Sequence, residues 1–200
     1  VTRADDYSGS EAPRERMLAM PLAPEAEKDV VTRRGRRLRL RPVGPDDDDE
    51  AIEIGQRSTP EDLRLRFFSA IRPEPGPLIK MLTDFDHTHH RAAGCYDPAG
   101  PRGPHELLGG VRLIWKPDLS SGEFAIMVRS DQKRQGLGRV LMAEMLSWAV
   151  DLGLGRVDGD VLRENTAMLR LLRACGGVIL PQGGDPGTVN VTFDPPRKLE

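Results

Sequence analysis

The sequence predicts a mixed α/β (α+β) domain with a largely antiparallel, twisted sheet flanked by helices. Three observations predict it. Runs with a two-residue apolar period recur at Leu38–Val43, Leu107–Trp115 and Phe124–Val128. Segments with a helical period fall between such runs, the strongest at Leu137, Val140, Leu141, Met145, Trp148 and Leu152. Some strands also follow one another at hairpin distance, which favours antiparallel pairing over a purely alternating, parallel sheet.

The bulk properties suit one domain of ordinary size. The chain has 200 residues, of which 38% are hydrophobic and 4% aromatic, so aliphatic side chains must fill the core. A net charge of -2 supplies no global field for capturing nucleic acid or an anionic membrane, and neither is expected as a partner. Cys95 and Cys175 stand far apart without patterned spacing, the arrangement of reduced thiols and not of a disulfide framework or zinc site. No apolar stretch approaches a membrane span, and the N-terminus lacks the pattern of a secretory signal; a cytoplasmic location is expected.

In chain order, residues 1–35 are polar and without apolar period, read as a flexible tail or linker. The folded domain is expected over 36–195, with 196–200 a short tail. Leu38, Leu40 and Val43 alternate with arginines as a half-buried strand ending at Pro42. The acidic run Asp46–Glu50 suits a helix N-terminus, whose dipole it complements, and lacks the ligand spacing of a calcium loop. Thr59-Pro60-Glu61-Asp62 marks a second helix start, with Leu63, Phe67 and Phe68 as its apolar face. A short helix is expected at Leu78–Leu82. His87, His89 and His90 diverge as near neighbours and are read as structural or exposed, not as metal ligands; no metal is expected. From Ala92 two strands flank the loop Pro98–Pro104, with a bulge or close approach at Gly109-Gly110. After the long helix, closed by Gly153 and Gly155, come a strand at Val157–Leu162 and a helix bearing Met168, Leu171, Leu172 and Cys175. Strands at Val178–Leu180 and Thr188–Phe193 finish the domain.

The chemistry-bearing segment is strand Phe124–Val128, loop Arg129–Gln135, and the helix from Leu137. Gly136 and Gly138 allow a tight turn and let a ligand approach the backbone. The unpaired amides of a helix start attract an anion, and Lys133, Arg134 and Arg139 add charge around it. A phosphate ligand, most naturally a diphosphate, follows. The Walker pattern is missing, and Leu141 occupies the third glycine position of a dinucleotide fingerprint.

Lys133-Arg134-Gln135-Gly136-Leu137-Gly138 resembles the pyrophosphate loop of the GNAT N-acetyltransferases, with Lys133 at a position usually Gln or Arg. Asn165-Thr166-Ala167-Met168-Leu169 resembles the second cofactor element of that family. Thr59–Ser69 and Glu123–Asp131 are similar to the Pat-type bacterial protein lysine acetyltransferases. The resemblance implies a GNAT-like fold and acetyl-CoA as cosubstrate. It implies a protein substrate with an exposed lysine, an acyl-CoA synthetase among the candidates, and an attached regulatory domain. It assigns the diphosphate to Lys133, Arg134, Gln135, Gly136, Leu137, Gly138 and Arg139, and the pantetheine arm to Ile126, Met127, Val128 and Asn165. An amide near Val128 would serve the oxyanion.

A lysine amine has pKa about 10.4 and needs a base near neutral pH. Glu123, heading the strand that runs into the loop, is assigned that role, with partial burial expected to tune it. Asn165 also suits a helix cap. Leu172 stands where many family members carry the tyrosine that protonates the departing thiolate, leaving the acid unassigned, with Tyr96 and Cys175 as candidates. A small-molecule amine acetyltransferase and a non-catalytic acyl-CoA sensor remain the alternatives.

Overall fold

The computed structural model describes residues 27–68, 88–101, 106–181 and 185–195. These form an eight-stranded sheet in the order β1-β2-β3-β4-β5-β6-β8-β7. Its strands are β1 (Lys28–Val31), β2 (Arg37–Pro42), β3 (His90–Tyr96), β4 (Leu107–Trp115), β5 (Gly122–Val128), β6 (Val157–Leu162), β7 (Val178–Pro181) and β8 (Thr188–Phe193). Every pairing is antiparallel except that of β5 with β6. The helices among the described residues are α1 (Asp48–Gln56), α2 (Pro60–Phe67), α3 (Leu137–Leu152) and α4 (Thr166–Ala174). The mixed, mostly antiparallel architecture is the one the sequence predicts. The helix expected at 78–82 lies outside the described residues, as do residues 1–26 and 196–200.

One boundary is corrected. β1 lies inside the stretch read as tail, pairing Lys28 with Leu40 and Val31 with Arg37. The hairpin closes where Thr32 N–H donates to Arg36 O (2.9 Å) and Arg36 N–H donates to Thr32 Oγ1 (3.2 Å). Only Val30 of β1 is half-covered, so this edge strand carries no apolar alternation that a sequence could reveal.

α3 owes its place to one apolar stripe. Leu137, Leu141, Met142, Met145, Trp148 and Ala149 are all buried, at the three- and four-residue steps of a helix face. They pack on Val111, Leu113, Phe124 and Ile126 from β4 and β5 in the main core. Glu144, also buried, accepts from Trp148 Nε1 at 3.2 Å and pairs with Lys28 Nζ at 2.5 Å, tying the edge strand to the helix. The helix ends as expected: Gly153 takes a left-handed φ of 69° and Leu154 N–H returns to Ala149 O.

The other face of the sheet is covered by α1 and α2 over a smaller cluster: Ile54, Leu63, Tyr96, Leu107 and Met127, with Phe67 against it. Thr59 caps α2 by accepting from Asp62 N–H at 3.2 Å. Phe68, expected on the apolar face, instead ends the helix with φ 55° and is 48% exposed. The register of β3 against β4 shifts between Cys95 and Tyr96, opposite Gly109 and Leu107, so the bulge falls at Leu108, while Gly109 makes the close approach: an added Cβ there would sit 2.8 Å from Met127 O.

Candidate active site

β5 and β6 part company after two registered pairs, Gly122–Val157 and Glu123–Asp158. The backbone period shows what this exposes. Gly122 N–H donates to Arg156 O on the β6 side, whereas Arg129 N–H donates to Leu108 O on the β4 side. Counting in twos along the strand, the amides of Phe124, Ile126 and Val128 face β6, where the registered pairs have stopped. The result is a strand edge that can pair with an extended amide-bearing ligand.

The gap opens into a cleft of ≈ 620 Å³. Its lining includes Glu123, Ile126, Met127 and Val128 of β5, Lys133, Arg134, Gly136, Leu137, Gly138 and Arg139 of the loop and α3, and Asn165 of the α4 cap. Of the residues assigned from sequence, the structure brings all but Gln135 to this one surface. Gln135 turns away and accepts from Arg36 Nη1 at 2.5 Å.

The head of α3 leaves backbone amides open to the cleft. Gly136 is its N-cap at φ 96°, a conformation that L side chains rarely adopt, and no side chain caps the helix. The first turn holds no acidic residue. Arg139 and Val140 are the first amides turned back into the helix, both onto Gly136 O, so those of Leu137 and Gly138 precede the ladder. Gly138 has a packing reason as well: an added Cβ would sit 2.8 Å from Leu171 Cδ2 of α4.

Three sets of contacts hold this loop. Arg36 donates to Gln132 Oε1 (2.7 Å) and Gln135 Oε1, and pairs with Asp97 at 2.6 Å. Arg129, 1% exposed, lies between Glu106 (3.0 Å) and Asp131 (2.7 Å). Asp62 on α2 accepts from both Ser130 Oγ and Lys133 Nζ. Burial pushes the Asp62 carboxyl up, but the Lys133 and Ser130 donors outweigh it and hold it below the usual carboxylate range. Lys133, read as a free phosphate ligand, is therefore ion-paired with Asp62 here.

Glu123 also departs from expectation: its side chain is exposed, not partly buried. Beside it the cleft is lined by Arg66 of α2 and Arg112 of β4. Asn165 caps α4, accepting from Met168 N–H at 3.1 Å, while lining the cleft. Leu172 is fully buried. Tyr96 donates to Asp47 at 3.1 Å in the core beneath Arg41, and neither it nor Cys175 lines the cleft. Burial drives the Tyr96 hydroxyl far above its ordinary pKa and pushes the Cys95 thiol up to about 12; both sit as inert core groups.

Sequence reasoning missed Arg33 and Arg34, which the β1–β2 turn carries to the cleft, and Arg66, Arg112, Asp62 and Asp160. A charged residue between Val111 and Leu113 in an otherwise apolar strand was the one available signal, for Arg112.

A sheet split between two parallel strands, with an uncapped helix head at the mouth of the split, offers an extended strand edge ending at unpaired amides. The chain belongs to the acetyltransferase (GNAT) domain family, which matches residues 37–178. It is 26% identical to the acetyltransferase Pat of Mycolicibacterium smegmatis over 175 residues, covering 83% of this chain and 51% of that protein. The chain thus spans about half the length of that curated relative. Its fold is similar to the GNAT domain of S. lividans PAT, with TM-score 0.74, 21% identity, and coverage of 84% of this chain and 96% of that one. It is also similar to spermidine N-acetyltransferase from Vibrio cholerae, in complex with CoA and spermine, with TM-score 0.63, 19% identity, and coverage of 79% and 95%. Among the described residues no helix is long and apolar enough to cross a membrane.

Proposed function

We propose that this chain transfers the acetyl group of acetyl-CoA to a lysine side chain of a protein, with Glu123 as general base. The observation that carries the reading is the juxtaposition of Glu123 and the α3 head on one cleft, joined by the unpaired edge of β5. The residues present fit the cosubstrate. The amides of Leu137 and Gly138, with Arg134, Arg139, Arg33 and Arg34 nearby, suit the diphosphate. Ile126 and Val128 offer strand-like amide pairing to the pantetheine arm, and Asn165 stands across the gap.

In this reading Glu123 takes one proton from the lysine ammonium, directly or through a water, and passes it to solvent, because the ammonium's ordinary pKa is about 10.4. Its nitrogen then bonds to the thioester carbonyl carbon while the carbon–sulfur bond breaks. The nitrogen's second proton passes to Glu123, directly or through a water, and from there to solvent. With Leu172 in the apolar core, the departing thiolate takes its proton from water; a thiol of pKa about 8.5 leaves without a dedicated acid. The Val128 amide, facing the gap, is the donor offered to the carbonyl oxygen.

An acyl-CoA synthetase is the first acceptor to try, and an adjoining regulatory domain belongs to the same proposal, in keeping with half-length coverage of the Pat relative. A cytoplasmic site of action is part of it too. The test is turnover of labelled acetyl-CoA with a lysate and with purified synthetase. Label on a protein lysine, lost in Glu123→Gln, supports the reading; label solely on small amines overturns it.

A further inference from the structure

Coenzyme A carries two anionic groups: the diphosphate and, one sugar away, a phosphate monoester on the ribose. The diphosphate brings about two negative charges, and the monoester adds about 1.5 to 2 more at neutral pH. The head of α3 with Arg134 and Arg139 is matched to the first. Arg33 and Arg34, which reach the same cleft from the β1–β2 turn, are positive charge beyond that need.

The turn holds these two side chains in place. They are its central residues: Gly35 N–H donates to Thr32 O at 2.9 Å, and Gly35 takes a left-handed φ of 79°. Thr32, 4% exposed, lies against the N-cap of α3, where a Cβ on Gly136 would sit 3.2 Å from Thr32 Cβ and 3.8 Å from Arg33 N. Past the turn, Arg36 binds Gln132 and Gln135 of the cofactor loop; before it, Lys28 pairs with Glu144 of α3. Along this hairpin Arg36 pairs with Asp97 and Arg39 with Asp29. Arg33 and Arg34 are exposed and, among the described residues, have no acid partner. Two unneutralised guanidiniums are thus anchored beside the helix head.

α4 gives the direction. Asn165, its cap, is the residue proposed for the pantetheine arm; Leu171, further along, meets Gly138 at the α3 head; Cys175 closes the far end. The nine residues of the helix span about 14 Å. Burial raises the Cys175 thiol, with Arg139 and then Arg33 pulling it back, so both guanidiniums stand toward that far end. Pantetheine seat, diphosphate seat and Arg33 therefore follow one another along α4 in the order in which coenzyme A bears its groups. Both turn arginines precede the stretch matched by the GNAT family, residues 37–178.

Resting on the acetyl-CoA reading above, we infer that Arg33 and Arg34 form a site for the ribose phosphate of coenzyme A. The chain thereby distinguishes coenzyme A from its dephospho form at this turn.

Calorimetry with coenzyme A and with dephospho-coenzyme A, on wild type and on the double variant Arg33→Gln/Arg34→Gln, tests this without turnover. Wild type should bind coenzyme A about tenfold more tightly than the dephospho form. In the double variant coenzyme A should weaken to the level of the dephospho form, whose own affinity should hold; that retained binding reports a folded cleft. Arg34→Gln alone, in which the ratio should fall part of the way, reads the same site if the double variant does not fold. Equal affinities in wild type, or a ratio that survives in the variants, overturn the inference and leave the acetyl-CoA reading standing. Equal weakening of both ligands in a folded variant also overturns it, by assigning the arginines to the diphosphate. Failure of wild type to bind either ligand overturns both.

Discussion

The two faces of the central sheet are built from different material. Under α3 the face is a continuous apolar slab, with Leu141, Met142, Met145 and Trp148 seated on β4 and β5. Under α1 and α2 the cluster among the described residues is five buried side chains, and beyond its border stand Arg66, Arg112 and Glu123. The first face fixes the head of α3, where the proposed diphosphate seat lies. The second trades packing for charge where the acceptor would enter. The split between β5 and β6 joins them. The difference teaches that stability and proposed chemistry are carried on opposite sides of one strand, and substitutions should separate them.

The sharpest separation is expected at Glu123. Glu123→Gln should lower kcat by roughly 100- to 10,000-fold, while calorimetry finds coenzyme A affinity unchanged. Persistent turnover would move the base elsewhere in the cleft, with Asp160 next in line. On the opposite face, Trp148→Ala should cost about 3–5 kcal/mol by denaturant unfolding. It empties a site that is 1% exposed and takes the indole donor from buried Glu144. Phe67→Ala, against the smaller cluster, should cost only about 1–2 kcal/mol. If the two losses are equal, the contrast between faces fails.

Gly136→Val probes the junction. A β-branched residue at φ 96° is strained by about 1–2 kcal/mol or more, which should appear as about tenfold weaker coenzyme A binding or as lost stability. The smallest effect is expected at Asp62→Asn, about 1 kcal/mol or less at pH 7. Its sign follows from the depressed carboxyl. Asp62 contributes stability above the unfolded value near 4, and the contribution disappears as pH falls through the lower folded value. Wild type and variant should therefore converge in acid; a gap that persists at pH 2 would assign the effect to packing.

Strands and helices with strong periods were legible in the sequence because burial on one face writes itself into every second or third residue. The α3 head was legible for the same local reason: a glycine pair, a cationic loop and a helix start are adjacent along the chain. β1 was not, because an edge strand with one half-covered residue leaves no pattern. Nor were the braces. Arg36 reaches Gln135 across 99 positions, and Asp62 reaches Lys133 across 71, so a phosphate ligand and an ion-paired lysine look alike in one dimension. Arg33 and Arg34 reach the cleft only because the β1–β2 turn folds over it. Glu123 was expected to be partly covered and is exposed instead.

Amide resonances of Leu137 and Gly138, followed while coenzyme A and then pantetheine are added, test the proposed anion seat most directly. Large shifts at these two amides with coenzyme A, absent with phosphate-free pantetheine, are predicted. Coenzyme A that binds while these amides stay still would contradict the account.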